Sequence, residues 1–174
     1  LVVAIFSLAI SWAYAMGGKR TGLPGNFLVS ADVAIPFIYG SFVIGQVPRL
    51  NTGFIAQLAF SSNTGREVAK GIVDVKGDKL KKMRTVAVVY GEKAAAYVAT
   101  GFFLYAVGLS LLPIFLRLVS RWFIIFVGAE DIGFIASSIM LIRDPSRENA
   151  KRIKNFILYW MMMGLLAFIA GTVG

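Results

Sequence analysis

The sequence NTGREVAKGIVDVKGDKLKKMRTVAVVYGEK, residues 63–93, decides the fold because it sets a dense cluster of charge between hydrophobic segments that could each cross a bilayer. Within it, Arg66, Lys70, Asp74 and Asp78 follow one another at intervals of four residues. If the helix that enters this stretch continues through it, that spacing puts all four side chains along one stripe of its surface. The sequence therefore predicts two cations followed by two carboxylates on a single helix face.

This order of charges suits a metal-bound phosphate ligand. Carboxylates one turn apart can share a hard divalent cation, and Mg²⁺ is usually held by one or two protein carboxylates while substrate phosphates supply further oxygens. The two cations would then meet the same phosphates. More positive charge follows in the chain, at Lys79, Lys81, Lys82 and Arg84. Because carboxylates four apart are also common on solvated helix faces, Asp74 and Asp78 alone leave that simpler interpretation open.

Composition indicates a polytopic membrane protein. Hydrophobic residues make up 57% of the 174 residues, the mean hydropathy is +0.74, and several apolar runs approach the length that a membrane helix needs. The 18 Lys and Arg outnumber the 9 Asp and Glu, but they lie between apolar runs, which favours a membrane surface over nucleic acid as their partner. The absence of cysteine and histidine excludes disulfides, thiolate and imidazole metal sites, and a histidine-based catalytic triad.

Six segments are predicted to span the membrane in an all-α helical bundle. They are residues 1–16, 26–46, 53–72, 94–112, 122–142 and 156–173. The third is the least hydrophobic, and lipid would penalise its polar groups unless other helices or a wet cavity covered them, so we expect it to be central. Residues 79–91 are expected to form a loop with a short basic amphipathic element.

Three carboxylates fall inside predicted spans, where an acid usually faces the bundle interior or a wet cavity. Asp32 lies near the charged end of its span, so an interfacial carboxylate that reaches water is an equal alternative. Glu130 and Asp131 are adjacent and cannot face the same side of a helix. We expect Asp131 to face the interior and Glu130 to pair with a neighbouring helix, and for either a polar contact that locks helix packing is the alternative.

Loop charges predict the orientation. If the six spans alternate, fifteen of the 18 basic residues lie on one side, and only Arg49, Arg117 and Arg121 lie on the other. Positive charge gathers on the cytoplasmic side of a membrane protein. The charged stripe and its loop are therefore predicted to face the cytoplasm, in a multi-pass protein of the cell membrane.

The longer string R-E-x-x-K-x-x-x-D-x-x-x-D, residues 66–78, is followed by R-T and Y-G. It resembles the second aspartate-rich motif of the UbiA superfamily of intramembrane prenyltransferases. Within that superfamily, residues 65–78 look closest to the archaeal digeranylgeranylglyceryl phosphate synthases. Tyr14, Lys19, Arg20 and the turn TGLPGN, residues 21–26, resemble the exit of the fourth helix in the same family. The resemblance thus implies one partial domain, residues 1–174, that corresponds to helices four to nine of an expected nine in a C-terminal fragment.

The resemblance also implies residue roles. Asp74 and Asp78 would bind Mg²⁺ and the diphosphate of the prenyl donor, and Arg66 and Lys70 would contact phosphate directly, so these four form the expected catalytic set. The further substrate-binding residues would be Tyr14, Lys19, Arg20 and Asn63. Glu67 has two interpretations, a salt bridge to Arg66 or Lys70 and a catalytic base.

The implied activity is Mg²⁺-dependent transfer of a geranylgeranyl group from its diphosphate to a lipid-like acceptor, geranylgeranylglyceryl phosphate, in archaeal ether-lipid synthesis. Prenylation of an aromatic or quinone precursor such as 4-hydroxybenzoate is an alternative within the superfamily. A transporter or membrane scaffold whose basic loops bind anionic lipid is an alternative of another class. The family's first aspartate-rich motif, an N-D-x-x-D-like string, does not occur in the 174 residues, so we expect this chain on its own to be inactive.

Overall fold

The computed structural model describes residues 1–45 and 47–172, without the side chains of Lys19 and Thr172. The described residues are mostly helical and include no strand. Its helices are α1 (Val2–Met16), α2 (Leu23–Val43), α3 (Leu50–Leu80), α4 (Val86–Tyr90), α5 (Glu92–Ser110), α6 (Leu112–Phe115), α7 (Arg121–Arg143) and α8 (Arg147–Thr172), with a 3₁₀ turn at Gly18–Arg20. The predicted all-α bundle is confirmed.

Among the described residues, four stretches are helical, long and apolar enough to cross a membrane: Leu23–Val43, Glu92–Phe115, Arg121–Arg143 and Arg147–Gly171. They correspond to four of the six predicted spans, and the fold is that of a polytopic membrane protein. Of the other two, α1 is apolar but has only 15 residues. The other, α3, is long enough with 31 residues, but it is not apolar and uncharged enough to count as a membrane span. The predicted span ends at residues 46 and 173 lie outside the described residues.

The polar helix α3 is central, as predicted. It packs against α2, α5 and α8 and against the short α4. Its polar side chains Ser61, Ser62, Asn63 and Thr64 are buried. Ser62 Oγ donates to Leu58 O at 2.6 Å and Thr64 Oγ1 to Phe60 O at 2.8 Å, so the helix itself satisfies hydroxyls that lipid could not.

Small residues let the helices approach closely around α3. A Cβ on Gly65 would lie 2.5 Å from the Phe103 ring of α5, and a Cβ on Gly133 of α7 would lie 2.2 Å from the Trp160 ring of α8. Phe103 in turn stacks on Phe134, with ring centroids 5.7 Å apart. Such close contacts are typical of membrane helix interfaces, where packing replaces the hydrophobic effect. The contact at Gly65 holds α3 against α5, and the contact at Gly133 holds α7 against α8.

The predicted segment boundaries differ from the helices in two places that matter for the site. The third helix continues past the predicted end at residue 72 to Leu80, so the whole charged stripe lies on one helix. The short element predicted in residues 79–91 is α4, but its sequence VAVVY is apolar rather than basic. The expectation of a basic amphipathic element was wrong, because the lysines belong to the end of α3 and the turn after it.

Candidate functional site

The turn that ends α3 determines where its carboxylates lie. Lys82 adopts a left-handed conformation with φ 53°. The Met83 amide donates to Asp78 O at 2.9 Å and the Lys82 amide donates to Lys79 O at 3.1 Å, which is the hydrogen-bond pattern of a Schellman helix end. The chain therefore turns back, and Met83 lines the same cavities as Asp74 and Asp78.

A second turn, before α2, is held against the chain that leaves this helix end. The Arg84 amide donates to Arg20 O at 3.1 Å. Gly22, with φ 76°, makes the approach possible, because a Cβ there would lie 2.1 Å from Arg84 O. A side chain at this position would be strained and would also strike the backbone. The contact brings the end of α1 next to the end of α3.

We call the first cavity at this junction the inner cavity, with a volume of about 60 Å³. It is lined by Tyr14, Gly25, Asn26, Glu67, Lys70, Gly71, Asp74, Asp78, Met83 and Thr85. Asp74 is exposed and Asp78 is half-buried. The structure thus brings together four of the predicted site residues, namely Tyr14, Lys70, Asp74 and Asp78.

A larger cavity of about 420 Å³, the outer cavity, shares Lys70, Asp74, Asp78 and Met83 with the inner one. Its other lining residues are Val73, Lys76, Gly77, Lys81 and Arg147. Predicted Arg20 lines a third cavity of about 400 Å³, together with Lys81 and Met83. Both carboxylates of the stripe therefore face two adjoining cavities that several cations surround.

Glu67 forms salt bridges with both Arg66 and Lys70, in agreement with the first of its two interpretations. Its Oε1 lies 3.0 Å from Arg66 Nη1 and its Oε2 lies 3.0 Å from Lys70 Nζ. The Glu67 side chain is 10% exposed, whereas that of Lys70 is 42% exposed. The buried carboxylate therefore orients both cations, and Lys70 reaches the solvent side of the cavities. Arg66 Nε is buried and has no hydrogen-bond partner among the described residues.

Some predicted site residues lie elsewhere. Asn63 sits in the interface of α2 and α3, where its Nδ2 donates to Ser30 Oγ at 3.2 Å. Ser30 Oγ also lies 2.8 Å from Thr64 Oγ1. Asn63 and Arg66 are not among the residues that line the three cavities described above. The side chain of Lys19 is outside the described residues.

The two adjacent acids of α7, Glu130 and Asp131, have exchanged the environments that were predicted for them. Asp131 pairs with the neighbouring helix α5, since Ser110 Oγ donates to its Oδ2 at 2.8 Å. Glu130 faces the interior: it is 4% exposed and lies against Gly164 of α8. It lines an apolar cavity of about 230 Å³ formed by α2, α3, α7 and α8. The expectation was wrong because close packing of Gly133 on Trp160 sets the rotation of α7.

The third acid within a predicted span, Asp32, is bound by a neighbouring helix. Ser11 Oγ of α1 donates to its Oδ2 at 2.8 Å. Its Oδ1 is buried and has no hydrogen-bond partner among the described residues. Asp32 therefore links α1 to α2 instead of simply reaching water at the membrane surface.

The donor atoms fit Mg²⁺ only together with a phosphate ligand. The described residues contain no cluster of three or more Asp, Glu, His or Cys side chains that could hold a metal. Asp74 and Asp78, which line the same two cavities, supply one or two carboxylates, and Mg²⁺ accepts that number when waters and phosphate oxygens complete its octahedron. A closed structural metal site is not formed by these residues.

Sequence reasoning missed Arg147. Its Nε donates to Val73 O at 3.0 Å, across 74 residues of sequence, and its side chain lines the outer cavity. The turn before it is fixed by Asp144, whose Oδ1 accepts from the Ser146 amide at 3.1 Å. Proximity in sequence could not have revealed Arg147, since its partner is a main-chain carbonyl on another helix.

The comparisons with known proteins agree with this architecture. The chain matches the UbiA prenyltransferase family model over residues 1–169. It is 34% identical over 157 residues to the digeranylgeranylglyceryl phosphate synthase of Archaeoglobus fulgidus, covering 88% of this chain and 54% of the relative. It is 37% identical over 175 residues to the Korarchaeum cryptofilum synthase of the same name, covering 97% and 60%.

A solved structure from a study of digeranylgeranylglyceryl phosphate synthase in membranes has a TM-score of 0.91 and 29% sequence identity. The match covers 99% of this chain and 61% of that one. The chain thus spans a little over half the length of the curated relatives quoted above. Because the family match runs through nearly the whole helical bundle, the chain belongs to the UbiA prenyltransferase family.

Proposed function

We propose that the full-length protein transfers a geranylgeranyl group from geranylgeranyl diphosphate to geranylgeranylglyceryl phosphate, in the synthesis of membrane ether lipids. The observation that carries the proposal is that Lys70, Asp74 and Asp78 line the same two cavities at the end of α3. The names of the two relatives, both digeranylgeranylglyceryl phosphate synthases, support the choice of acceptor.

These residues can supply the charge stabilisation that prenyl transfer requires. Breaking the allylic C–O bond of a prenyl diphosphate requires stabilisation of the departing diphosphate charge. Mg²⁺, held by Asp74 and Asp78, would act as a Lewis acid on that charge. Lys70, which Glu67 orients, would contact the phosphate oxygens, and a cation fixed before the reaction stabilises developing charge without reorganisation. Arg66 would support the same network through its shared partner Glu67.

The membrane setting complements this chemistry. The prenyl tail would lie among the apolar helices, which exclude water from the allylic cation. The basic segments at the end of α3 and before α8 would face the cytoplasm, as their charge predicts. The anionic head group and Mg²⁺ would then reach the site from the cytoplasm. Membrane lipids surround the bundle, and we propose no nucleic-acid partner.

We infer that the 174-residue chain corresponds to helices four to nine of the family fold and is inactive on its own. The resemblance places a further aspartate-rich motif on the family's second helix, and no N-D-x-x-D-like string occurs in these residues. A diphosphate bound through Mg²⁺ would then require carboxylates from that motif as well as Asp74 and Asp78. Turnover by the isolated 174-residue chain would contradict this inference.

The proposed function is tested with the full-length protein in membranes. Radiolabelled geranylgeranyl diphosphate and Mg²⁺ are offered with geranylgeranylglyceryl phosphate in one reaction and 4-hydroxybenzoate in another. An ether-lipid product that disappears with EDTA supports the proposal. A product from 4-hydroxybenzoate alone would assign the protein to a branch of the family with aromatic acceptors. If neither acceptor gave a Mg²⁺-dependent product, a transporter or scaffold would be favoured.

A further inference from the structure

The two cavities at the end of α3 differ in charge. Among the described residues, the lining of the inner cavity has one cation, Lys70, and three carboxylates, those of Glu67, Asp74 and Asp78. In the same part of the chain, the described lining of the outer cavity has four cations and two carboxylates, with Lys76, Lys81 and Arg147 added to Lys70. An anion in the inner cavity therefore needs a metal ion to offset the carboxylates, whereas cations can hold an anion directly in the outer cavity.

Arg147 is held in position for such a role. Its Nε donates to Val73 O at 3.0 Å, so the guanidinium is anchored one residue before Asp74. That hydrogen bond uses Nε, which leaves the two terminal nitrogens of this exposed side chain at the lining of the outer cavity. A guanidinium with one edge fixed and the other free is suited to bidentate contact with phosphate.

The turn before α8 keeps this arrangement rigid. The Asn149 amide donates to Ser146 Oγ at 3.4 Å, and Asn149 Nδ2 donates to Asp144 O at 2.6 Å. Ser146 Oγ also donates to Asp144 Oδ2 at 3.0 Å. Lys81, the first residue after α3 in the turn that ends it, lines the same cavity from another part of the chain. Two cations from separate, ordered turns therefore converge on one cavity.

We propose that Lys81 and Arg147 form a subsite for a phosphate monoester that is not bound to the metal, the head group of the lipid acceptor. This rests on the proposed function, in which two anionic substrates meet. The names of the relatives put a phosphate on the lipid product, so that phosphate is retained during transfer and must be held without being activated. The outer cavity, of about 420 Å³, adjoins Asp74 and Asp78, next to the diphosphate whose prenyl group is transferred.

The kinetic test compares a phosphorylated lipid acceptor with the matched alcohol that lacks the phosphate, in the full-length protein. Arg147→Gln and Lys81→Gln are each expected to raise the KM for the phosphorylated acceptor about tenfold, the usual scale for loss of one charge-assisted hydrogen bond. The KM for the prenyl diphosphate and all values for the alcohol acceptor are expected to stay within about twofold of the parent. Arg143→Gln, at an exposed arginine outside the cavity lining, is the matched control and should change neither KM.

A binding test separates this subsite from the proposed function. An alkyl phosphate monoester in EDTA is expected to raise the thermal unfolding temperature of the parent and the Arg143→Gln control, and to have much less effect on Arg147→Gln and Lys81→Gln. The matched alkyl alcohol should stabilise all four proteins equally. If the parent transfers no prenyl group, the proposed function fails, and this binding result still decides whether the phosphate subsite exists.

Three results would overturn the subsite. A rise in the KM for the prenyl diphosphate alone would assign Lys81 and Arg147 to the donor. Equal losses with the phosphorylated and alcohol acceptors would indicate a structural role. Unchanged alkyl phosphate binding in both variants would show that neither residue holds a phosphate.

Discussion

At the scale of single residues, Gly22 joins the two parts of the candidate site. Gly22 has a φ of 76°, which side chains rarely allow, and a Cβ there would lie 2.1 Å from Arg84 O. A side chain therefore does not fit at this position. Gly22→Ala is expected to lower the free energy of unfolding by about 1–3 kcal/mol, the cost of strained backbone at a constrained position. The measurement is thermal or denaturant unfolding in detergent.

Gly40→Ala provides the control for this substitution. Gly40 lies in α2, and a Cβ there would meet nothing within 4 Å. Because alanine is favoured over glycine in a helix by up to about 1 kcal/mol, this variant should be as stable as the parent or slightly more so. Equal stability of Gly22→Ala and Gly40→Ala would contradict the account of the Arg20–Arg84 contact.

The charged stripe shows what could be predicted at this scale. Four-residue spacing correctly put Arg66, Lys70, Asp74 and Asp78 on one helix, because residues four apart lie on the same face of any α-helix. The salt bridges of Glu67 could also be predicted, since both partners lie within three residues of it. Arg147 could not, because it joins the site through a contact with Val73 that only the tertiary fold creates.

At the scale of the element, the end of α3 is the structural feature that shapes both cavities. Lys82 occupies the left-handed position of the helix end, with φ 53°, where glycine is the usual residue. Lys82→Gly is expected to stabilise the protein by about 0.5–1 kcal/mol, because it removes the left-handed strain of a residue with a Cβ. Thermal unfolding in detergent measures the change.

Lys79→Gly is the matched control, since it removes an equally exposed lysine three residues earlier within the last turn of α3. It should lower stability by about 0.5–1 kcal/mol, the cost of glycine within a helix. If both variants were destabilised to the same extent, the assigned helix end at Lys82 would be wrong.

Helix type and position could be predicted well from the sequence, but helix ends and helix rotation could not. The polar side chains at residues 61–64 correctly indicated a central helix, because lipid cannot satisfy them. The exact end of α3 at Leu80 depends on a turn with lysine rather than glycine at its left-handed position, and such a turn gives no sequence signal. The rotation of α7, which reverses Glu130 and Asp131, depends on Gly133 meeting Trp160 of another helix.

At the scale of the whole molecule, the distribution of basic residues predicts which side of the membrane the site faces. The 174 residues contain no cysteine, so single cysteines introduced here can be followed by labelling in a full-length protein made cysteine-free elsewhere. Lys79→Cys, at the end of α3, should react with a membrane-impermeant maleimide only after cells are permeabilised. Leu116→Cys, an exposed position just after α6, should react in intact cells.

Each labelled variant serves as the control for the other, because both positions are exposed and both lie outside the apolar spans. Labelling of Lys79→Cys in intact cells, with Leu116→Cys protected, would invert the proposed orientation. It would also place the candidate diphosphate site on the side away from cytoplasmic Mg²⁺ and substrates.

Prenyl transfer by the full-length protein over a Mg²⁺ titration tests whether Asp74 and Asp78 hold the metal-bound diphosphate. Asp74→Asn and Asp78→Asn should each lower kcat/KM for geranylgeranyl diphosphate by about 100-fold or more, since metal stabilisation of a leaving group contributes several kcal/mol. Both should also need more Mg²⁺ for half-maximal rate. Glu148→Gln, at an exposed carboxylate paired with Arg152, should match the parent. Parent-like rates and Mg²⁺ dependence in both aspartate variants would contradict the account.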